Sequence, residues 1–210
     1  GMCGPVIMEY ASEEQKERYL PPMAEGKEIW CQLFSEPSAG SDVAGLRSKA
    51  VQNGDKWIVN GQKVWTSGAH FADFGILVVR HDPNIEKHKG MTFFFVDMKS
   101  PGIEVKPIKQ ITGGSSFNEV YFTDVEIPDS QRLGEIGDGW KVAITTLMNE
   151  RLAVGDADGA DVEDAFRWAK KQDNLGEPLL NNQAARESIA DWYCEKSCLL
   201  YTSPSPRDNS

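Results

Sequence analysis

The stretch LFSEPSAGSD, residues 33–42, could bind a ligand where an apolar run ends. Most of the residues after that run are small, proline or acidic. Gly40 lets a ligand approach the backbone closely, and Ser35 and Ser41 offer hydroxyl groups and N–H donors. Such donors suit a phosphate or the polar edge of a heterocycle. The composition alone favours the simpler interpretation, a polar loop with an Asx turn at Asp42.

A second group of interest is KVWTSG, residues 63–68. Trp65 is followed at once by Thr66 and Ser67, so a large flat ring stands beside two hydroxyl groups at a predicted strand end. This grouping is typical of a core tryptophan that caps a barrel. It is equally typical of a wall for a planar cofactor, with hydroxyl groups near the heteroatoms. These residues by themselves do not decide between the two.

The third group is MNER, residues 148–151, on a predicted helix. Arg151 falls within the apolar stripe of that helix, and Glu150 lies at the edge of the stripe. A buried charge has to be paired or functional, because burying it alone is costly. The segment therefore predicts either an ion pair with another helix or a carboxylate held near a substrate. The stripe consists of Trp140, Ala143, Ile144, Leu147 and Val154.

The composition is that of a globular protein with an acidic excess. The 210 residues are 40% hydrophobic and 26% charged, and their formal net charge is −10. Because nucleic-acid binding requires a basic surface, this charge argues against a nonspecific nucleic-acid partner. No apolar run approaches the length of a membrane span, and the first residues lack a signal-peptide pattern. We expect a cytoplasmic protein.

The cysteines do not predict a metal site. Cys194 and Cys198 are four residues apart on a predicted helix, but no histidine or acidic set completes a tetrahedral site around them. Reduced thiols and no bound metal are the expectation.

The chain is predicted to begin helical and then to become a β-domain. A helix is expected over residues 12–20, with a Ser12–Gln15 capping box and a stop at Pro21-Pro22. A turn is expected at residues 53–55 and a hairpin at Asn60-Gly61. Further strands are predicted in FGILVVR, MTFFFVDM, IEVKPI and NEVYFTDV.

Helices return after Pro128. Asp138 is predicted to cap a helix that runs to about Val154, after a helix-entry turn in GEIGDGW. Two more helices are predicted over residues 160–173 and 182–200. The expected fold class is therefore α+β, with a central antiparallel β-barrel or sandwich flanked by helices.

Together these segments resemble the acyl-CoA dehydrogenase family. SEPSAGSD is similar to the family signature TEPGAGSD, and KVWTSG is similar to its K-x-W-I-T-N segment. EEQKERYLPP, GMTFFFVDMKSPGIEV, FNEVYFTDVEIP and LGEIGDGW resemble other family segments and come in the family's order. The resemblance covers about residues 4–198 and implies a fragment of the family's three-domain architecture.

That resemblance divides the chain into four parts. Residues 1–28 would end the N-terminal helical domain, and residues 29–127 would form the flavin-binding middle domain. Residues 128–198 would begin the C-terminal helical domain, and residues 199–210 would be a tail foreign to the family.

The resemblance also implies FAD as the cofactor and assigns residues to it. Ser35 would meet the pyrimidine edge of the flavin, Ser41 its phosphates and the neighbouring CoA chain, and Ser67 the region of N5. The implied cofactor-binding residues are Gln32, Leu33, Phe34, Ser35, Gly40, Ser41, Trp65, Thr66 and Ser67.

The substrate pocket is implied around MNER. Ser41, Met148, Asn149 and Arg151 would contact the acyl-CoA. Glu150 stands where isovaleryl and long-chain members carry their catalytic carboxylate, whereas most other members place it later in the C-terminal domain.

The implied reaction is the α,β-dehydrogenation of an acyl-CoA thioester in fatty acid metabolism, by a homo-oligomer that is usually tetrameric. Electrons would pass to an electron-transfer flavoprotein. Two alternatives stay open: a flavin-dependent oxidase or monooxygenase on the same scaffold, and an inactive truncated β-domain.

Three residues depart from the family pattern. Ser38 replaces a glycine, and Gly68 stands where asparagine is common. Gln172 replaces an arginine that in other members reaches the FAD of a neighbouring subunit, which puts that contact in doubt.

Overall fold

Two helices precede the sheet in a computed structural model that describes residues 2–155, 162–171 and 177–202. Helix α1 spans Cys3–Tyr10, and α2 spans Glu13–Ala24. The predicted capping box is confirmed, since Gln15 N–H donates to Ser12 Oγ at 3.2 Å and Ser12 N–H donates to Gln15 Oε1 at 3.0 Å.

The predicted stop at Pro21-Pro22 is wrong. Both prolines lie inside α2, and their carbonyl groups accept hydrogen bonds from the N–H groups of Glu25 and Lys27. Proline removes an N–H donor but keeps its carbonyl acceptor, so the last turn still closes behind the pair.

Seven strands form one sheet, with the order β1-β4-β2-β3-β7-β6, and β5 pairs with the other edge of β4. β1 runs parallel to β4, β2 meets β4 in one parallel pair, and every other pairing between these strands is antiparallel. The sheet is therefore mixed and curls into a half-barrel, which confirms the α+β class. The strands are β1 Trp30–Leu33, β2 Lys49–Asn53, β3 Lys56–Ser67, β4 Phe74–Arg80, β5 Met91–Asp97, β6 Ile103–Ile108 and β7 Phe117–Pro128.

The predicted hairpin at Asn60-Gly61 is wrong, because both residues lie inside the 12-residue strand β3. Gly61 marks a shift in the register of β3 against β7 and has a φ of 153°. A Cβ at this position would lie 2.2 Å from Ser48 Oγ, so the glycine permits a close approach of chains. The turn expected at residues 53–55 is confirmed as the β2–β3 hairpin, with a φ of 63° at Gly54.

The sheet separates two apolar clusters. One lies between the sheet and the helices, and it includes Phe34 and Phe93 with residues of α1 and of the helix α3 that spans Gly139–Gly155. The other lies within the half-barrel and includes Leu33, Leu77 and Val120. Successive residues of a strand point to opposite faces, so Leu33 at the end of β1 packs in the cluster within the half-barrel. Phe34, the next residue, packs in the cluster between the sheet and the helices.

Helix α3 begins directly after Asp138, whose carbonyl accepts the Val142 N–H at 3.0 Å. A Cβ on Gly139 would lie 2.6 Å from backbone atoms of Met91 and Thr92, so this glycine lets the helix start against β5. The predicted helix and its entry turn are confirmed. α3 packs on α1, β4 and β5 within a compact unit of residues 1–155.

The second compact unit comprises residues 156–210. Its described helices are α4, Val162–Ala169, and α5, Gln183–Thr202, which agree with the two predicted helices. None of the helices in the described part of the chain is long and apolar enough to cross a membrane. Gln172 and residues 203–210 of the predicted tail lie outside the described residues.

Candidate cofactor and substrate site

A buried ion pair joins the two segments that were predicted to bind the cofactor. Lys63 on β3 is completely buried, and its Nζ lies 2.8 Å from Glu36 Oε1 and 3.1 Å from the Phe34 carbonyl oxygen. The backbone N–H of Arg47 donates to Glu36 Oε2 at 2.6 Å, and that of Ser48 donates to Oε1 at 3.0 Å. The loop after β1 is thus fastened to β3 at the first residue of KVWTSG.

The electrostatics of this pair favour an ionised Glu36. Burial raises the pKa of Glu36, but the charge and hydrogen bond of Lys63, together with hydrogen bonds from the Arg47 N–H group and from Ser48, outweigh it, so the pKa is lowered. Burial also lowers the pKa of Lys63, and the attraction of Glu36 opposes that change. The carboxylate is therefore held as an anion by three donors in a site that excludes water.

A distortion of β3 follows the ion pair. The pairing of β3 with β7 shifts between Lys63 and Thr66, and the Val64 N–H donates to the Ser35 carbonyl at 2.8 Å. Trp65 has a φ of 59°, in the left-handed region that a bulky residue rarely adopts. Its side chain is 60% exposed and meets Phe117 edge to face at 6.1 Å between ring centroids. Trp65 is therefore not a core residue, which removes the simpler of its two interpretations.

The residues after Trp65 place one hydroxyl group inside the protein and one outside. Thr66 is buried, and its Oγ1 has no hydrogen-bond partner. Its carbonyl oxygen accepts from Asn118 Nδ2 at 2.9 Å, and Asn118 Oδ1 in turn lies 3.1 Å from His70 Nδ1. Ser67, by contrast, is exposed at the end of β3.

The second half of LFSEPSAGSD is exposed, and hydrogen bonds from Arg80 hold the turn that follows it. Ser41 and Gly40 are exposed, and a Cβ added to Gly40 would meet no atom within 4 Å. Arg80 fixes the next turn by donating to the carbonyl groups of Ala44, at 2.6 Å, and Leu46, at 3.1 Å. The fold does not itself require glycine at position 40, so a ligand that approaches the backbone is one reason for it.

The C-terminal half of α3 contacts β1 through Glu150. Gln32 Nε2 lies 3.5 Å from Glu150 Oε2, across a partly buried contact. Gln32 Oε1 is buried and has no hydrogen-bond partner. A predicted cofactor-binding residue and the predicted catalytic carboxylate are therefore neighbours in space, although 118 positions separate them in the chain.

The other predicted substrate residues on α3 face outward more than the sequence indicates. Met148 is 51% exposed, Arg151 is exposed, and Asn149 Nδ2 donates to the Thr145 carbonyl of its own helix at 2.8 Å. The expectation that Arg151 is buried within an apolar stripe is wrong. Polar Thr146 is buried in this part of the helix instead of the expected Ile144, which is 38% exposed.

Two further predicted cofactor-binding residues have side chains that face the interior. Leu33 and Phe34 are almost fully buried, and their side chains pack in the two apolar clusters. Among the described residues, hydrogen bonds do not join Ser41 to Met148 or Asn149.

The sequence missed the residues that hold the site together. Glu36 lies in LFSEPSAGSD and Lys63 in KVWTSG, but the two motifs do not predict that these residues pair. The available signal was an isolated lysine in a strand and an isolated carboxylate after an apolar run. Asn118 had no such signal.

The described residues contain no group of three or more histidine, cysteine or acidic side chains that could hold a metal ion. Cys3 and Cys31 are free and buried, and burial raises the pKa of each thiol to about 12.

Comparisons with known proteins match three stretches that together make up most of the chain. The model of the acyl-CoA dehydrogenase middle domain matches residues 31–125, that of the C-terminal domain residues 137–202, and that of the N-terminal domain residues 1–27. Acyl-CoA dehydrogenase FadE34 of Mycobacterium tuberculosis is 48% identical over 191 residues, which are 87% of this chain and 27% of that protein. The chain belongs to the acyl-CoA dehydrogenase family.

Other family members agree. Acyl-CoA dehydrogenase IpdE1 of Mycolicibacterium smegmatis is 37% identical over 90% of this chain and 49% of its own length. Among solved structures, the steroid ACAD Tcur3481-Tcur3483, as its G363A variant, superimposes with a TM-score of 0.81 at 35% identity. That match covers 94% of this chain and 51% of the solved chain. The chain thus spans about half or less of the length of these relatives.

Proposed function

We propose that the protein containing this chain binds FAD and catalyses the α,β-dehydrogenation of an acyl-CoA thioester. The observation that carries this proposal is the Glu36–Lys63 ion pair, 2.8 Å long, which fastens the loop of Ser35 to the strand of Trp65. Two segments that the family resemblance assigns to the flavin are thereby brought to one place.

The residues present fit a flavin in three ways. Thr66 Oγ1 is a buried hydroxyl group without a partner, which a ligand heteroatom would satisfy. Trp65 keeps a strained backbone and an exposed ring, as expected of a wall for a planar group. Gly40 leaves open space over the backbone. Ser35, Ser41 and Ser67 would supply further hydroxyl groups and N–H donors to the cofactor.

The chain's own residues would handle the proton. The thioester carbonyl makes the α-carbon acidic, and Glu150 would remove the α-proton at its carboxylate. FAD, when bound, supplies the acceptor for the hydride that leaves the β-carbon. The loss of one proton and one hydride leaves a carbon–carbon double bond. Ser41, Met148, Asn149 and Arg151 would bind and orient the acyl-CoA.

The wider assignments form part of the same proposal. The domain limits at residues 28, 127 and 198, the cytoplasmic location, the homo-oligomer and the electron-transfer flavoprotein partner all follow from the family resemblance. The relatives named acyl-CoA dehydrogenase support the reaction class. The steroid ACAD adds steroid-derived acyl groups to the fatty acyl groups that should be tested as substrates.

The flavin absorbance of the full-length protein tests this proposal. We expect a yellow protein whose visible flavin band bleaches when one member of an acyl-CoA panel is added without oxygen. A protein that binds no flavin, or whose flavin no acyl-CoA bleaches, would contradict the proposal. Rapid oxygen consumption with the bleaching substrate, and no electron transfer to a flavoprotein acceptor, would indicate an oxidase instead.

A further inference from the structure

Gln32 is a polar residue on a face of β1 whose other side chains pack in an apolar cluster. Cys31 and Leu33, its neighbours on β1, contribute to the cluster inside the half-barrel. Strand alternation therefore directs Gln32 to the opposite face, where Trp30 and Phe34 pack in the cluster beneath the helices. A polar amide on this face has to be satisfied or it destabilises the fold.

The amide of Gln32 is only half satisfied. Its Oε1 is buried without a partner, which destabilises the folded state. An apolar side chain of the same length, such as methionine, would avoid that cost. Within the described part of the chain, the hydrogen bond that favours glutamine here is the one from its Nε2 to Glu150 Oε2, at 3.5 Å.

The charge of Glu150 also fixes which way the amide points. Reversing the amide would place Oε1 against the carboxylate, and two acceptors would then face each other. The N–H group must therefore face Glu150, and the oxygen remains buried. The backbone of Gln32 is itself fixed, because β1 pairs in parallel with β4 and Gln32 stands opposite Ile76.

We propose that Gln32 is a positioning residue, whose amide N–H holds the Glu150 carboxylate in the orientation that removes the α-proton. The proposal rests on the proposed function, in which Glu150 is the base. A long acidic side chain on a helix samples several rotamers, and a donor on a paired strand restricts it to one. Misplacement of a catalytic group by about 1 Å can lower a rate about a hundredfold.

The test uses the full-length protein with flavin bound and measures proton removal separately from oxidation. With the flavin reduced beforehand, exchange of the substrate α-protons for deuterium reports the action of the base alone. For Gln32→Met we expect this exchange and kcat to fall about ten- to a hundredfold, while KM changes less than about threefold. Gln32→Glu keeps the size of the side chain but places an acceptor against Glu150, so exchange and kcat should fall at least as far in this variant. It also provides a test if the methionine variant does not fold.

A matched control separates this effect from general damage. Gln52 is an exposed glutamine on β2 whose Nε2 donates to the Gly54 carbonyl at 3.4 Å, so Gln52→Met should leave exchange and kcat unchanged. Normal exchange in both Gln32 variants, with exchange abolished by Glu150→Gln, would overturn the role of Gln32 and leave the proposed function intact. Normal exchange in Glu150→Gln would overturn the assignment of the base, and the role of Gln32 with it.

Discussion

Replacing Lys63 by methionine should destabilise the protein strongly and loosen the cofactor loop. Lys63 is fully buried, and its removal leaves the Glu36 carboxylate buried with only the N–H groups of Arg47 and Ser48. Breaking a buried ion pair in this way costs about 3–5 kcal/mol. The Phe34 carbonyl also loses its lysine partner, and with it the loop loses a direct tie to β3.

The same strand provides a control. Lys56, also on β3, pairs with Glu126 at 2.6 Å, but both side chains are about half exposed. Exposed pairs contribute at most about 1 kcal/mol, so Lys56→Met should destabilise the protein by less than that. The two substitutions remove the same chemical group from one strand and differ mainly in burial.

Denaturant unfolding of the full-length protein, followed by tryptophan fluorescence, measures both variants. A double-mutant cycle with Glu36→Gln isolates the coupling between the two charges, and we expect about 2 kcal/mol or more. Flavin retention should fall in Lys63→Met and stay unchanged in Lys56→Met. Equal, small losses of stability in the two lysine variants would refute the view that the buried pair holds the site together.

Three further predictions follow. Gly40→Ala should leave stability unchanged, since its Cβ meets nothing within 4 Å, yet weaken flavin binding about tenfold in a titration of the apoprotein. The pKa of Glu36 is lowered in the folded state, so the stability that its ionised form contributes is complete above the usual glutamate pKa of about 4.3 and is lost as the pH falls below that value. The Glu36→Gln variant should therefore lose less stability in acid, which unfolding midpoints measured at a series of pH values would show. Gly61→Ala should lower the free energy of unfolding by about 1–3 kcal/mol, because Gly61 has a φ of 153° and its added Cβ would lie 2.2 Å from Ser48 Oγ. Gly114→Ala is the control, since its added Cβ would make only ordinary contacts and should change the unfolding midpoint little.

Local patterns in the sequence predicted most of the elements. The capping box at Ser12 and the turn at residues 53–55 depend on a few neighbouring residues, and both are confirmed. The predictions at Pro21-Pro22 and Asn60-Gly61 failed because tertiary context overrode a local signal. At Asn60-Gly61, the glycine serves the close approach of Ser48 to a continuous strand, and no turn forms.

The site was less accessible to sequence reasoning because its central contacts are long-range. Glu36 and Lys63 are 27 positions apart, and Gln32 and Glu150 are 118 positions apart. No periodicity links such residues, so the motifs indicated where ligand groups could be but not what joins them. The exposure of Arg151 was equally invisible, because it depends on how α3 rotates against the sheet.

Some of the energetic costs in this fold lie on residues for which a ligand is proposed. Trp65 adopts a left-handed backbone, which costs about 1–3 kcal/mol for a residue other than glycine. Four buried side-chain polar atoms of the described residues lack a partner, and two of these, Gln32 Oε1 and Thr66 Oγ1, belong to predicted cofactor-binding residues. A fold selected for stability alone would avoid these features, and their grouping at one end of β1 and β3 indicates selection for binding. If so, flavin should stabilise the protein by satisfying Thr66, and Thr66→Val should stabilise the apoprotein while it weakens flavin binding.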